Sequence, residues 1–135
     1  MIVDTSALLA FFDSSEPTHE AVSEAVESTS EPLVVSPFVV AELDYIVLTR
    51  HGSRAEALVL DELSSGSWEL ATFDIARFTT ASSIVKQYAD IPIGITDASN
   101  IVLADAYQTR TIATLDRRHF SILRLPDGTA PALVP

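Results

Sequence analysis

Four acidic side chains in this sequence stand just after predicted strands or near the start of the helices that follow them. They are Asp4, Glu42, Asp97 and Asp116. Carboxylates held a few ångströms apart raise one another's pKa, so a cluster of them holds either protons or a cation. The chain has no cysteine, and its three histidines are scattered along the sequence. An oxygen-only ligand set of this kind favours a hard ion, Mg²⁺ or Mn²⁺, over zinc.

Each of these acids also has a purely structural interpretation. Asp4 and Asp97 would serve as N-caps, Asp116 as a turn former, and Glu42 as one half of a partly buried ion pair. Asn100, one turn after Asp97, either orients that carboxylate or faces solvent. One shared site would explain the positions of all four acids, and we prefer this explanation to four independent structural roles.

The elements that must position these acids alternate between short apolar strands and helices. Strands are predicted at 2–3, 33–35, 68–72 and 111–115, with a further edge strand at 121–125, and helices begin near residues 5, 17, 37, 54, 75 and 96. The clearest helix start is Ser36-Pro37, an N-cap followed by proline at the first helical position. We expect the proline-rich tail after residue 125 to pack loosely or fray.

Alternating strands and helices predict a parallel sheet that is covered by helices on both faces. Ligands of open α/β sheets bind beyond the carboxyl ends of the strands, where Asp4 and Asp116 stand. These two carboxylates converge if their strands are neighbours. Glu42 lies at the edge of an apolar helical stripe and so points near the core boundary, whereas Asp44 points the other way.

Length and composition indicate one globular domain spanning 1–135. The absence of cysteine excludes disulfides and thiolate metal sites. No apolar run approaches the ~18 residues of a membrane span, and the first residues lack the basic leader of a signal peptide. We therefore expect a cytoplasmic protein without a membrane contact.

The charge balance at first argues against a nucleic-acid partner. Nineteen acidic and eight basic residues give a net charge of −11, whereas phosphate contacts depend on Lys and Arg. Five of the nineteen acidic residues, however, lie in residues 14–32, and Arg117 and Arg118 directly follow the last apolar run. The distribution of charge therefore leaves room for a nucleic-acid substrate.

Four segments that contain the acids resemble those of PIN-domain proteins, and more narrowly those of the toxins of VapBC toxin–antitoxin pairs. They are "MIVDTSALLAFF", "SPFVVAEL", "GITDASNIVLA" and "TIATLDRRHF". The resemblance covers about residues 1–125. It implies a three-layer α/β/α nuclease fold with a central parallel sheet of about four to five strands.

The resemblance also implies an activity and a set of site residues. The four acids match a quartet that binds Mg²⁺ or Mn²⁺ in a metal-dependent endoribonuclease acting on RNA. Thr5 or Ser6 matches the polar residue beside the first aspartate, and Thr114 matches the threonine two places before the last acid. Asn100 has no family role that we can assign, and Asp90 and Asp105 are further nearby acids.

Partners follow from the same resemblance. Proteins of this kind usually form homodimers and are inhibited by a small antitoxin, here a cognate VapB-like protein, whose C-terminal segment blocks the active-site groove. Contacts to RNA phosphates would come from Arg117, Arg118 and Arg110.

Two other classes of function are alternatives to a nuclease. A phosphotransferase or receiver module would also place an aspartate after the first strand, but it needs a lysine near the phosphoryl group. The only lysine, Lys86, lies within a predicted helix, and the four scattered glycines form no phosphate-binding loop. The second alternative is a catalytically silent PIN-like module that acts through protein partners.

Overall fold

Five strands and seven helices alternate along the chain in a computed structural model that describes residues 1–135. They are β1 (Ile2–Val3), α1 (Thr5–Phe12), α2 (His19–Ser28), β2 (Val34–Val35), α3 (Pro37–His51), α4 (Ser53–Leu63), β3 (Glu69–Leu70), α5 (Ile75–Gln87), α6 (Ile95–Ala106), β4 (Thr111–Ala113), α7 (Arg117–Phe120) and β5 (Ala132–Val134). None of the helices combines the length and the hydrophobicity that crossing a bilayer requires.

All five strands run parallel in a single sheet with the order β3-β2-β1-β4-β5. The first strand is central, because Ile2 is in register with Val34 of β2 on one side and with Ile112 of β4 on the other. The strands that precede Asp4 and Asp116 are therefore neighbours. Their carboxyl ends, together with that of β2, meet at one edge of the sheet, which we call the carboxyl edge.

Each central strand buries successive side chains on opposite faces of the sheet. In β1, Val3 belongs to the core under α1 to α4, whereas Ile2 belongs to the core that contains Ile101 of α6 and Phe120 of α7. The other central strands repeat this alternation. Helices thus cover both faces, and the predicted three-layer α/β/α fold is confirmed.

Local sequence signals explain where several helices begin. Ser36 caps α3 by accepting a hydrogen bond from the Phe38 N–H, with Pro37 at the first helical position. Gly52, with a φ of 81°, allows the chain to reverse between α3 and α4. The sequence predicts Pro17 in the first turn of α2. In the structure Pro17 lies in the turn before that helix.

Two predictions for the last quarter of the chain are wrong. Residues 121–125 form a turn and irregular chain after α7 and not an edge strand, although Leu123 and Leu125 bury their side chains in the core. The tail does not fray, because β5 pairs along the outer side of β4. This pairing is hard to predict from one sequence, because the partner strand β4 is distant from β5 in the chain. By pairing there, β5 covers an edge that would otherwise expose unpaired backbone groups.

Pairing of the tail predicts slow hydrogen exchange at two backbone amides. The Ala132 N–H donates to the Arg110 carbonyl at 2.7 Å, and the Thr114 N–H donates to the Val134 carbonyl at 2.9 Å. Both amides should exchange orders of magnitude more slowly than the exposed Asp127 amide when followed by NMR in D₂O. Equal exchange of Ala132 and Asp127 would show that the tail is frayed after all.

Candidate active site

The four acids of the sequence lie in one open pocket at the carboxyl edge. Asp4 directly follows β1, and Asp116 follows the neighbouring strand β4 after a short loop at 114–115. Glu42 lies in the second turn of α3, and Asp97 in the first turn of α6. Both helices begin at the carboxyl edge, so residues more than a hundred positions apart share one cavity.

Asp4 is the most buried acid of the pocket, at 5% exposure. One of its carboxylate oxygens accepts a hydrogen bond from Asn100 Nδ2 at 3.0 Å. The other accepts from Thr114 Oγ1 at 2.9 Å and from Ser6 Oγ at 2.8 Å. Asp4 also caps α1, but donors from three other side chains hold it in one orientation, which is more than a helix cap requires.

Asn100 contacts a different acid from the one we expected. Its side chain is fully buried and donates to Asp4, so it neither orients Asp97 nor faces solvent. This contact also fixes the amide, because a flipped amide would place its oxygen against the carboxylate. The carbonyl oxygen of Asn100 is then left buried without a hydrogen-bond partner.

Hydroxyl groups connect Asp4 to the loop that carries Asp116. Thr114 Oγ1 donates to Asp4 and accepts from the Asp116 N–H at 3.1 Å. Ser6 Oγ accepts from the Leu115 N–H at 2.9 Å. The positions of Asp4 and Asp116 are therefore coupled through the side chains of Ser6 in α1 and Thr114 directly after β4.

Glu42 is exposed and has no ion-pair partner. Its carboxylate accepts a hydrogen bond of 2.5 Å from the buried hydroxyl of Thr5 in α1. This contact turns Glu42 toward the pocket, whereas Asp44 points away from it, toward Glu56 of α4. A partly buried salt bridge therefore does not explain Glu42.

The structure also brings His119 into the pocket, a residue that sequence reasoning does not assign to any site. Its Nδ1 lies 3.1 Å from Asp97 Oδ2 and 3.7 Å from Asp116 Oδ2. Asp97 is not an N-cap, since Gly94 holds that position and donates its N–H to Asp97 Oδ2 at 3.2 Å. The available signal for His119 was its position three residues after Asp116, which becomes close only because α7 forms.

The pKa values of the two acids that flank His119 are shifted in opposite directions. Burial raises the pKa of Asp97, and the charges of Asp4 and Asp116 add to this effect, while the Gly94 N–H and His119 oppose it only in part. Burial also acts to raise the pKa of Asp116, but hydrogen bonds from Arg118 and the charge of His119 outweigh it and lower that pKa. The pocket therefore disfavours the charged form of Asp97, mainly through burial, and favours that of Asp116.

The three arginines proposed for RNA contacts do not lie together. Arg118 is largely exposed and pairs with Asp116 at 3.3 Å, and Arg117 beside it donates to the Pro135 carbonyl. Arg110 precedes β4 and so lies at the opposite edge of the sheet, paired with Asp127 at 3.1 Å. Only Arg117 and Arg118 are next to the pocket.

The remaining candidate residues lie outside the pocket. Asp90 is exposed in the turn after α5, and Asp105 is exposed at the far end of α6, where it borders other cavities. Lys86 lies in the last turn of α5. The lysine that a phosphotransferase would need is therefore absent from the acidic pocket.

The chemistry of the pocket fits a hard divalent cation. Its donors are carboxylate oxygens with one imidazole, and burial, reinforced by the charges of Asp4 and Asp116, raises the pKa of Asp97. As the side chains stand, no three acidic or histidine groups are arranged to ligate one ion, so binding requires them to rotate.

Replacing Asp97 by asparagine should stabilise the protein at neutral pH. Because the folded-state pKa of Asp97 lies above its usual value of 3.8, the folded protein binds this proton more tightly than the unfolded chain does. The charged carboxylate therefore lowers stability above that folded-state pKa, and the penalty disappears as the pH falls toward 3.8. Differential scanning calorimetry in EDTA should show a higher thermal midpoint for Asp97→Asn at pH 7 and convergence with the unsubstituted chain in acid.

Asp105→Asn, at the exposed far end of the same helix, is the matched control and should leave the thermal midpoint unchanged at both pH values. A lower midpoint for Asp97→Asn than for the unsubstituted chain at pH 7 would contradict the charge balance described above.

Comparisons with known proteins agree with this geometry. The family model of the PIN domain matches residues 1–124. Ribonuclease VapC26 of Mycobacterium tuberculosis is 58% identical over 135 residues, which are the whole of both chains. The M. tuberculosis toxin VapC20, which cleaves the sarcin–ricin loop, superposes with a TM-score of 0.83 at 16% identity, covering 99% of this chain and 98% of that one. VapBC2 of Rickettsia felis, solved with a promoter DNA fragment, gives a TM-score of 0.72 at 18% identity, with 99% and 98% covered.

The two low-identity structures bear on the fold alone, whereas the family model and the 58% identity span the acidic pocket as well. The predicted resemblance is thereby confirmed: the chain belongs to the PIN-domain family, in its VapC group.

Proposed function

We propose that this chain is the toxin of a type II toxin–antitoxin pair and that it hydrolyses RNA phosphodiesters internally with the help of a divalent cation. The observation that carries the proposal is the convergence of Asp4, Glu42, Asp97 and Asp116 on one pocket. Ribonuclease activity is also in the name of the relative that is 58% identical over the whole chain.

The four acids differ in how firmly the surrounding side chains hold them. Asp4 is buried and held by Asn100, Thr114 and Ser6, so it offers a fixed carboxylate to Mg²⁺ or Mn²⁺, with Asp97 and Asp116 as further ligands. When bound, the cation would polarise a phosphodiester oxygen and lower the pKa of a nearby water molecule.

The more exposed acids are suited to handle the attacking water. Glu42, held by the Thr5 hydroxyl, or Asp116 orients a water molecule for in-line attack on phosphorus, with a 3′-hydroxyl as leaving group. Neither carboxylate is enclosed, so a polynucleotide can approach both from solvent. The open pocket and the position of Arg117 and Arg118 at its rim suit such an extended substrate.

Cation binding also resolves the objection from net charge. A phosphate that meets a divalent ion needs fewer lysine and arginine contacts than one bound by side chains alone. Arg117 and Arg118 provide the remaining attraction beside Asp116, and Arg110 is too far along the sheet to join them.

We propose a VapB-like antitoxin as the natural inhibitor of the chain, a homodimer as its assembly, and the cytoplasm as its location. Solved relatives include a VapBC pair from Rickettsia felis and a toxin–antitoxin complex from Klebsiella pneumoniae, which supports an antitoxin partner here.

A catalytically silent PIN-like module is the second candidate. The observation in its favour is that no three acidic or histidine side chains are yet arranged around one ion position. An Asp116→Asn chain that is as toxic to a bacterial host as the unsubstituted chain would support this candidate over the nuclease.

The purified chain should cut total bacterial RNA only when Mg²⁺ or Mn²⁺ is present. Asp4→Ala removes the buried, fixed carboxylate, so the rate should fall by more than about 100-fold, beyond the usual loss for a residue that only supports a ligand. Mapping of the RNA ends with and without EDTA measures both effects and identifies the target.

Asp105→Asn changes the charge by the same amount outside the pocket and should cut RNA at the unsubstituted rate. Cleavage that survives both EDTA and Asp4→Ala would refute the metal-dependent nuclease.

The double variant Arg117→Ala/Arg118→Ala should bind RNA more weakly and with a shallower dependence on salt. Each lost phosphate contact with single-stranded RNA should reduce the slope of log K against log salt by about 0.7. Fluorescence anisotropy with a labelled RNA at several salt concentrations measures this slope.

The control is Arg54→Ala/Lys86→Ala, which removes the same charge from exposed helix positions that do not line the pocket. If both double variants alter the slope equally, the effect is one of net charge, and Arg117 and Arg118 have no special role.

A further inference from the structure

Two buried serines meet where the helices that carry Glu42 and Asp97 come together. Ser36 caps α3 and Ser99 lies in the second turn of α6; both are 0% exposed, and their Oγ atoms are 2.7 Å apart. This contact is the side-chain hydrogen bond that joins α3 and its cap to α6. Neither serine lines the acidic pocket.

The neighbours of the two hydroxyl groups fix the direction of the hydrogen bond between them. Ser36 Oγ accepts from the Phe38 N–H at 3.2 Å, and Ser99 Oγ donates to the Thr96 carbonyl at 2.7 Å. Because each hydroxyl group has one proton, Ser36 must be the donor to Ser99. A continuous chain of three hydrogen bonds therefore runs from the first turn of α3 to the first turn of α6.

Site residues lie close to this chain on both helices. On α6, Asp97 is two residues before Ser99, and Asn100, which donates to Asp4, comes directly after it. On α3, Glu42 lies six residues beyond Ser36, about 9 Å along the helix axis. Any change in the spacing of the two helices therefore moves Glu42 relative to Asp97.

Stability alone does not account for the serine pair. A buried hydroxyl group gains little net stability from its hydrogen bond, because it has given up hydrogen bonds to water. Alanine would fill these positions without a polar group, as Ala98 does beside Ser99. What the pair adds is a defined distance and angle between the two helices, which non-directional apolar contacts do not impose.

We propose that Ser36 and Ser99 are positioning residues, which hold α3 and α6 at the spacing at which Glu42 and Asp97 serve one divalent cation. The inference rests on the proposed function and extends it to two residues outside the pocket. Loss of either hydroxyl group should weaken cation binding about tenfold, the lower end of the effect of residues that support metal ligands.

Isothermal titration of the 135-residue chain with Mn²⁺, without RNA, tests the proposal in Ser36→Ala, in Ser99→Ala and in the double variant. Since the same hydrogen bond is lost in all three, the double variant should bind Mn²⁺ no more weakly than the weaker single variant. Additive losses in the double variant, or unchanged affinity in either single variant, would overturn the proposal.

Thr109→Val provides a matched control for general loss of stability. Thr109 is 9% exposed, and its hydroxyl donates to Glu31 and accepts from the Thr111 N–H at the opposite edge of the sheet. This variant should lower the thermal midpoint about as much as Ser99→Ala does and leave Mn²⁺ affinity unchanged. An equal loss of Mn²⁺ affinity in Thr109→Val would overturn the positioning role.

The failure of this inference can be distinguished from that of the proposed function. An unsubstituted chain that binds no Mn²⁺ would overturn both. Tight Mn²⁺ binding by the unsubstituted chain with the same affinity in Ser99→Ala would overturn the positioning role alone.

Discussion

Parallel strands bring Asp4 and Asp116 to one edge of the sheet, where two helices add Glu42 and Asp97. The mutual repulsion of these carboxylates is the interaction that the surrounding structure has to offset. Strand order makes the crowding unavoidable, because β1 lies between β2 and β4 and all three end at the same edge. The fold therefore creates an electrostatic problem at the place where it also creates a pocket.

The protein offsets this repulsion unevenly. Neutral donors from Asn100, Thr114 and Ser6 surround Asp4, and the Arg118 guanidinium pairs with Asp116. Asp97 has weaker support from His119 and the Gly94 N–H, and its pKa stays raised. A divalent cation would satisfy this remaining charge without any new protein group. Because the charge of Asp97 is compensated only in part, binding of a cation there would also stabilise the fold.

Much of this arrangement could be predicted from residue types and order. Helix caps such as Ser36-Pro37, and acids placed directly after apolar strands, are local signals, and they predicted the parallel sheet and the meeting of the four acids in one pocket. His119, β5 and the Asn100 contact depend on tertiary structure: a four-residue helix turns His119 inward, β5 needs the free side of β4, and Asn100 meets Asp4 across 96 positions. Arg110 differs, because its place before β4 already puts it at the amino end of a parallel strand.

Anomalous scattering from crystals grown with Mn²⁺ tests the central claim most directly. If the four carboxylates are crowded so that a cation can relieve their repulsion, an anomalous difference peak will lie in the pocket among Asp4, Asp97 and Asp116, with Glu42 nearby. A pocket without any peak at saturating Mn²⁺ would contradict the account, since the crowded carboxylates would then be tolerated without a cation.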